Sequence, residues 1–397
     1  MTVPRWSMPA AILLFLPAAA WSQTQYTQTG DPSPGEQYAL ELINRARANP
    51  TAEGTRLGIN PISEGFTAAE AGDVGVRPPL AMNAILLSIA RAHSQDMWNN
   101  DYFGHDDIPP DDQPPYHWPW DRASAAGYNW TMFAENIASG SNHTAGQLED
   151  ALMIDAGYLG RGHRLNLLDV DPASSSYMRE IGIGYSQNAS NKLNVYRDLL
   201  TEDFGRSPTG PFLLGVVYSD TNANGFYDPG EELAGVDIRT VPAGTYFAVT
   251  ATAGGYSFPI GTSGTVVVQA TGGAFGATKV YKAVTLRGEN VKVDFKLSDT
   301  AIVDSDQDGL PDSWETAKFG DLSKTAGQDS DGDTFTNVEE FNASTDPTDP
   351  GSKPGGAASS PPAATPSKKH GGGCGLTGFE ALLPLALLRL RRPVQRR

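Results

Sequence analysis

Gly162-His163-Arg164-Leu165-Asn166-Leu167-Leu168 decides how this chain is read, together with Phe103-Gly104-His105 and Ala134-Glu135-Asn136-Ile137-Ala138. These stretches set two imidazoles and a carboxylate in a segment otherwise built to fold around an apolar core. Neither histidine stands in a His-x-x-x-His spacing, so only the fold can bring the three groups together.

The flanking sequence predicts that fold. Ser33-Pro34-Gly35-Glu36 is a capping box with proline at the first helical position, and Tyr38, Leu42, Ile43 and Ala46 follow at helical spacing. Asn49-Pro50 stops this helix. A second helix starts at Asn83 and puts Leu86, Ile89, Ala90, His93 and Met97 on one face, where His93 reads as a packed, satisfied histidine. A third covers roughly Gly146 to Ala156; within it Asp155 is expected to point inward, with Leu148 and Leu152, and Glu149 and Asp150 outward. Ile181 to Tyr185 and Leu193 to Leu200 read as short strands. Helix, helix, loop, helix, strand, strand is an α+β order rather than a parallel α/β one.

A length of 397 residues suggests two or three domains, and 43 glycines with 29 prolines imply many turns and linkers. Arg5, the apolar run Met8 to Ala20 and the small-x-small site Ala20-Trp21-Ser22 predict a secretory signal peptide over residues 1–22. Export permits disulfides, yet Cys374 is the single cysteine, so core size and bound metal must hold the fold. The net charge of −17 is local: residues 301–350 hold 13 Asp and Glu against two Lys, which is −11. No basic patch speaks for nucleic acid.

The parts then follow. Residues 33–205 form the mixed domain, and 210–298, with short β runs between glycine-rich turns, a small antiparallel β-sandwich. Residues 301–350 are paired acidic loops, 351–370 a disordered Pro/Ala/Ser/Gly linker and 371–397 a tail. In the tail Gly371 to Gly375 precedes the apolar Leu376 to Leu390 and an arginine cluster, a plan similar to bacterial C-terminal sorting signals, which would tie the chain to the cell envelope. His117, among Pro114-Pro115-Tyr116 and Trp118-Pro119-Trp120, sits in an aromatic loop.

Three segments carry oxygen ligands at the alternating positions that wrap a calcium ion. Asp220, Asn222, Asn224, Asp228 and Glu231 make the first, with Gly225 at the sharp turn. Asp304, Asp306, Asp308, Asp312 and Glu315 make the second, with Gly309 at the turn. Asp329, Asp331, Asp333, Asn337 and Glu340 make the third, where Gly332 comes two positions early and Thr334 takes the usual glycine place. The first is similar to calcium-binding B-type repeats of bacterial surface adhesins, and the pair resembles thrombospondin type 3 repeats and dockerin loops.

Over residues 35–205 the ordered motifs resemble the CAP superfamily: the cysteine-rich secretory, antigen 5 and pathogenesis-related proteins and their bacterial relatives. They run from Leu42-Ile43-Asn44-Arg45 through Phe103-Gly104-His105, Ala134-Glu135-Asn136-Ile137 and Gly162-His163-Arg164 to Glu180-Ile181-Gly182-Ile183-Gly184 and Thr201-Glu202-Asp203-Phe204-Gly205. The resemblance implies an α-β-α sandwich and a cavity lined by two histidines and two acids. His105, Glu135 and His163 match three of these; no glutamate stands at the fourth place, and Asp155 is the residue assigned to it. The histidines can hold zinc in an open site, Glu135 can act as a general base without metal, and a hydrogen-bonded cluster that only fixes the loops is the third reading.

Three functions follow. The favoured one is a secreted or cell-surface module that binds a small apolar or glycan ligand or a surface protein, as the lipid and sterol binders among the resembled proteins imply. The second is a metal- or carboxylate-dependent hydrolase, a protease or nuclease, acting through the same cavity. The third is calcium-dependent docking of the dockerin kind. A family fold does not choose among them.

Overall fold

The computed structural model describes residues 23–107 and 118–354, and the backbone of one further strand at 389–391. The expected signal peptide, His117, Cys374 and most of the expected linker and tail lie outside the described residues.

The first unit is built from α1 (Pro34–Ala48), α2 (Pro50–Leu57), α3 (Ala68–Asp73), β2 (Ala81–Met82), α4 (Ala84–Asn99), α5 (Pro119–Ala125), β3 (Met132–Gly140), α6 (Ala145–Ile154), α7 (Gly162–Leu167), β4 (Glu180–Gln187) and β5 (Asp198–Arg206). A strand β1 (Thr24–Gln25) precedes it. The capping box of α1 forms as expected: Ser33 N donates to Glu36 Oε2 at 2.7 Å, and Asn49 both ends α1 and caps α2.

In the sheet β5 is flanked antiparallel by β3 and β4, and β2 lies parallel beyond β4. The two-residue strand period splits its faces. Ala134, Ala138, Ile181, Ile183, Leu200 and Phe204 pack with Leu40 and Ile43 of α1 and Leu148 and Leu152 of α6. On the other face Phe133 packs with Leu86 of α4 and Ala123 of α5, and Ile137 and Leu199 pack with Met97. The result is a helix–sheet–helix sandwich. Glycines let α4 lie directly on β4: a Cβ on Gly182 would fall 1.9 Å from the Leu86 carbonyl carbon, and one on Gly184 2.2 Å from that of Ala90.

Four expectations need correction. Met132–Gly140 is a nine-residue strand, and it carries Glu135 into the middle of the sheet. The last strand runs over Asp198–Arg206, not Leu193 to Leu200, because the apolar Leu193 and Val195 belong to the preceding loop. Asp155 is not a helical residue: α6 stops at Ile154, and Asp155 is its cap with φ 53°. Glu149 does not point outward but is 1% exposed.

The second unit holds β6 (Phe212–Tyr218), β7 (Val236–Val241), β8 (Tyr246–Val249), β9 (Gly255–Pro259), β10 (Ser263–Gly272), β11 (Val280–Arg287), β12 (Val291–Lys292) and β13 (Phe295–Lys296). They form two sheets, β1-β8-β7-β10-β11 and β9-β6 with β12 and β13, around Leu213, Val236, Ile238, Phe258, Val268 and Phe295. The sandwich is not wholly antiparallel, since β1 runs parallel to β8, and β12 and β13 parallel to β6. The units are joined by partly buried polar contacts. Lys292 Nζ lies 2.9 Å from Glu41 of α1, and Asn290 Nδ2 donates to the Pro79 and Arg179 carbonyls at 2.9 and 2.8 Å.

Each acidic loop leads into a short helix, α8 (Asp312–Phe319) and α9 (Asn337–Ala343). Leu310, Ala326 and Val338 close a small core against Ala283 of β11. The strand β14 (Arg389–Arg391) pairs antiparallel with the edge of β3.

Candidate functional site

β3 organises the site because its alternation sends Glu135 to the α4–α5 face and Asn136 to the α1–α6 face. His105 Nδ1 donates to Glu135 Oε1 at 2.7 Å, and Arg122 of α5 pairs with Glu135 Oε2. Arg122 Nη1 also donates to the His105 carbonyl at 2.8 Å and to Asp107 at 3.0 Å. Burial alone would raise the Glu135 carboxyl. The Arg122 charge, then His93, then the His105 hydrogen bond more than offset it and hold Glu135 at about 2, a carboxylate at any ordinary pH.

His163 belongs to a second pair. Its Nδ1 donates to Asp155 Oδ1 at 2.8 Å and its backbone N–H to Asp155 Oδ2 at 3.0 Å, while Tyr158 meets the ring edge-on at 4.9 Å. The left-handed cap places that carboxylate at the N-terminus of α7, where backbone N–H groups are free to donate. Arg164 is a scaffold residue, donating to the carbonyls of Met153, Ile62 and Glu64 at 2.7 to 3.0 Å.

Two asparagines couple the pairs. Asn166 Nδ2 donates to Asn136 Oδ1 at 2.9 Å, and Asn136 Nδ2 to the His163 carbonyl at 3.3 Å and to Glu202 at 3.2 Å. His105, Glu135, Asp155 and His163 are therefore all buried around one strand and the start of one helix. They form two His–carboxylate pairs: no three of them set donor atoms within 4.8 Å of one another. Among the described residues neither histidine has a hydrogen bond at Nε2. His93 is packed as expected, 1% exposed, with its ring nitrogens 3.1 Å from Asp107 and 3.0 Å from the Gly104 carbonyl.

A model of the cysteine-rich secretory protein family, CAP, matches residues 40–196. Residues 40–196 are a CAP domain. The uncharacterized protein YkwD of Bacillus subtilis (strain 168) is similar to the chain, 29% identical over 177 residues. The match takes in 42% of this chain and 62% of YkwD, so the chain spans less than two thirds of that relative's length. No helix among the described residues is long and apolar enough to cross a membrane.

Three acids of the first unit were not read from the sequence as site residues. Asp203 opposes Glu135 across β3 and β5, while Glu149 of α6 and Glu202 of β5 are buried together on the other face. Burial, with Glu202 next, pushes Glu149 well up, and burial pushes Glu202 up to about 8. The strand period would have found Asp203 and Glu202 had β5 been placed at Asp198.

Beyond the CAP domain the acidic loops gather carboxylates in groups that could hold a cation. Asp304, Asp306 and Asp308 bring carboxylate oxygens within 4.8 Å of one another, and so do Asp329, Asp331 and Asp333. Glu315 is fully buried with no hydrogen bond to either oxygen, and Asn337 Oδ1 and Glu340 Oε2 are buried and unbonded in the Asp329 loop. Such oxygens fit a calcium ion, which orphaned buried acceptors would ligate. Asp312 instead accepts from Ser305 N and Oγ at 2.7 and 2.6 Å. The Asp220 loop is closed by its own hydrogen bonds: Glu231 Oε1 accepts from Thr221 N at 2.8 Å, and Asp228 Oδ2 from Asn222 and Asn224 at 2.8 and 2.6 Å.

Proposed function

We propose that the chain is an exported or cell-surface protein whose CAP domain binds a small apolar or glycan ligand, or a surface protein, at the His105–Glu135 and His163–Asp155 pairs. The observation that carries this reading is the free Nε2 on each ring. Each imidazole is oriented by a buried carboxylate at Nδ1, which fixes the tautomer and leaves the other nitrogen for a ligand. Calcium held by Asp304, Asp306, Asp308 and Glu315, and by Asp329, Asp331, Asp333, Asn337 and Glu340, stiffens the region that carries the domain.

Native mass spectrometry of the secreted protein, incubated with fatty acids, sterols and cell-wall glycans, tests this. Retained ligand that is lost in the His105→Ala, His163→Ala double variant supports it; capture unchanged in that variant makes the pairs structural. The same geometry favours one alternative. His105 and His163, each with Nε2 unbonded among the described residues, would hold zinc, which would supply an acidified water for hydrolysis; stoichiometric zinc lost in His163→Ala would select that reading.

A further inference from the structure

Asp203 and Glu135 are register partners in β5 and β3, so both side chains stand on the same face and directly opposite. Asp203 is fully buried, and among the described residues neither of its oxygens has a hydrogen-bond donor. Glu135 cannot supply one, because its oxygens already accept from His105 and Arg122. Two ionised carboxylates in that arrangement would repel each other in a dry environment, and one would carry its charge with no hydrogen bond at all.

We propose that Asp203 carries a proton which it donates to Glu135, and that this bond positions the Glu135 carboxylate against His105. The proposal rests on the reading of the His105–Glu135 pair as part of the working site. One proton removes the like-charge repulsion and turns two acceptors into a donor–acceptor pair. The charged and titratable neighbours are Glu135 of β3, Arg122 of α5, Asp107, His105, and His93 of α4. Burial first, and the Glu135 charge next, push the Asp203 carboxyl well above the ordinary aspartate range, with Arg122 opposing. Asp203 is a positioning residue in this scheme, acting on a ligand only through Glu135.

Asp203→Asn keeps a neutral donor at the same place and is the informative variant. Three readouts on the full chain near pH 7 are expected. The infrared spectrum loses one protonated-carboxyl carbonyl band relative to wild type. The His105 titration, followed by NMR, moves by less than about half a unit, because no charge is removed. The melting temperature does not fall. An ionised Asp203 predicts the reverse: no band is lost, and the His105 titration drops by about one unit or more as a neighbouring negative charge disappears. That result overturns the proposal.

Asp203→Leu, which offers no donor, is expected to disturb the His105 ring signals that Asp203→Asn preserves; identical His105 signals in the two variants also overturn it. The infrared band reports on Asp203 whether or not the His105, His163 variant retains a ligand, so the two failures are separable.

Discussion

Asp155 caps α6 in the left-handed conformation and takes two hydrogen bonds from His163, one from the ring and one from the backbone. A carboxylate outside the helix thus fixes both the start of α7 and the orientation of the imidazole. Asp155→Ala deletes both charge-assisted bonds and leaves a left-handed alanine, so a loss of about 2–4 kcal/mol is expected. Asp155→Asn keeps a side chain that tolerates the backbone and should cost about half as much. Denaturant melts give the energies, and the His163 ring nitrogen shifts show whether the tautomer survives.

Gly182 and Gly184 let α4 approach the sheet to backbone contact. Gly182→Ala pushes a methyl into the Leu86 carbonyl carbon, which no rotamer change can relieve. An expected loss of about 3 kcal/mol or more follows from overpacking a backbone–backbone contact. Gly184→Ala should behave alike. The mean-residue melt of each variant checks it, and wild-type stability in both would show that α4 can shift without cost.

The helices of the first unit were legible because their signals are local: a capping box at Ser33, an apolar stripe and a proline stop. His105, Glu135 and His163 were legible as motif residues, though not their division into two pairs, which depends on where β3 runs. That strand hid because Met132–Gly140 is buried on both faces and shows little polar alternation. The burial of Asp155 was expected from helical phase, which played no part in it, since the residue is the cap beyond α6. Asp203 and Glu202 were missed because adjacent acids in a strand ordinarily leave one side chain in water, and here helices cover both faces of the sheet.

The acidic loops should respond to calcium. With a dissociation constant of ~0.1–1 mM, an ion at some thirty times that concentration stabilises by about 2 kcal/mol for each loop filled. Calorimetric melts with calcium and with chelator measure the gain, and Glu315→Gln should remove the part due to the Asp304 loop. Thr334, at φ 87°, is a β-branched residue in the left-handed region. Thr334→Gly is expected to stabilise the Asp329 loop by about 1 kcal/mol through relief of that strain. A melt insensitive to calcium sinks the assignment.

Glu202 sets a pH dependence of the fold. It is buried beside Glu149, accepts one bond from Asn136, and titrates at about 8 in the folded chain against 4.5 as its ordinary value. Between those values the folded chain binds the proton and the unfolded chain has released it. Stability contributed at this position is therefore present below about 4.5 and lost as pH rises toward about 8. Glu202→Gln cannot ionise and keeps the acceptor for Asn136. Its stability relative to wild type should grow across that window, by an amount on the order of a few kcal/mol, shared with Glu149 because the two acids titrate together. Urea denaturation of both proteins at pH 5 and pH 8 measures the difference. A gap that is the same at both values means Glu202 is ionised throughout, and the buried pair then holds its charge by some other partner.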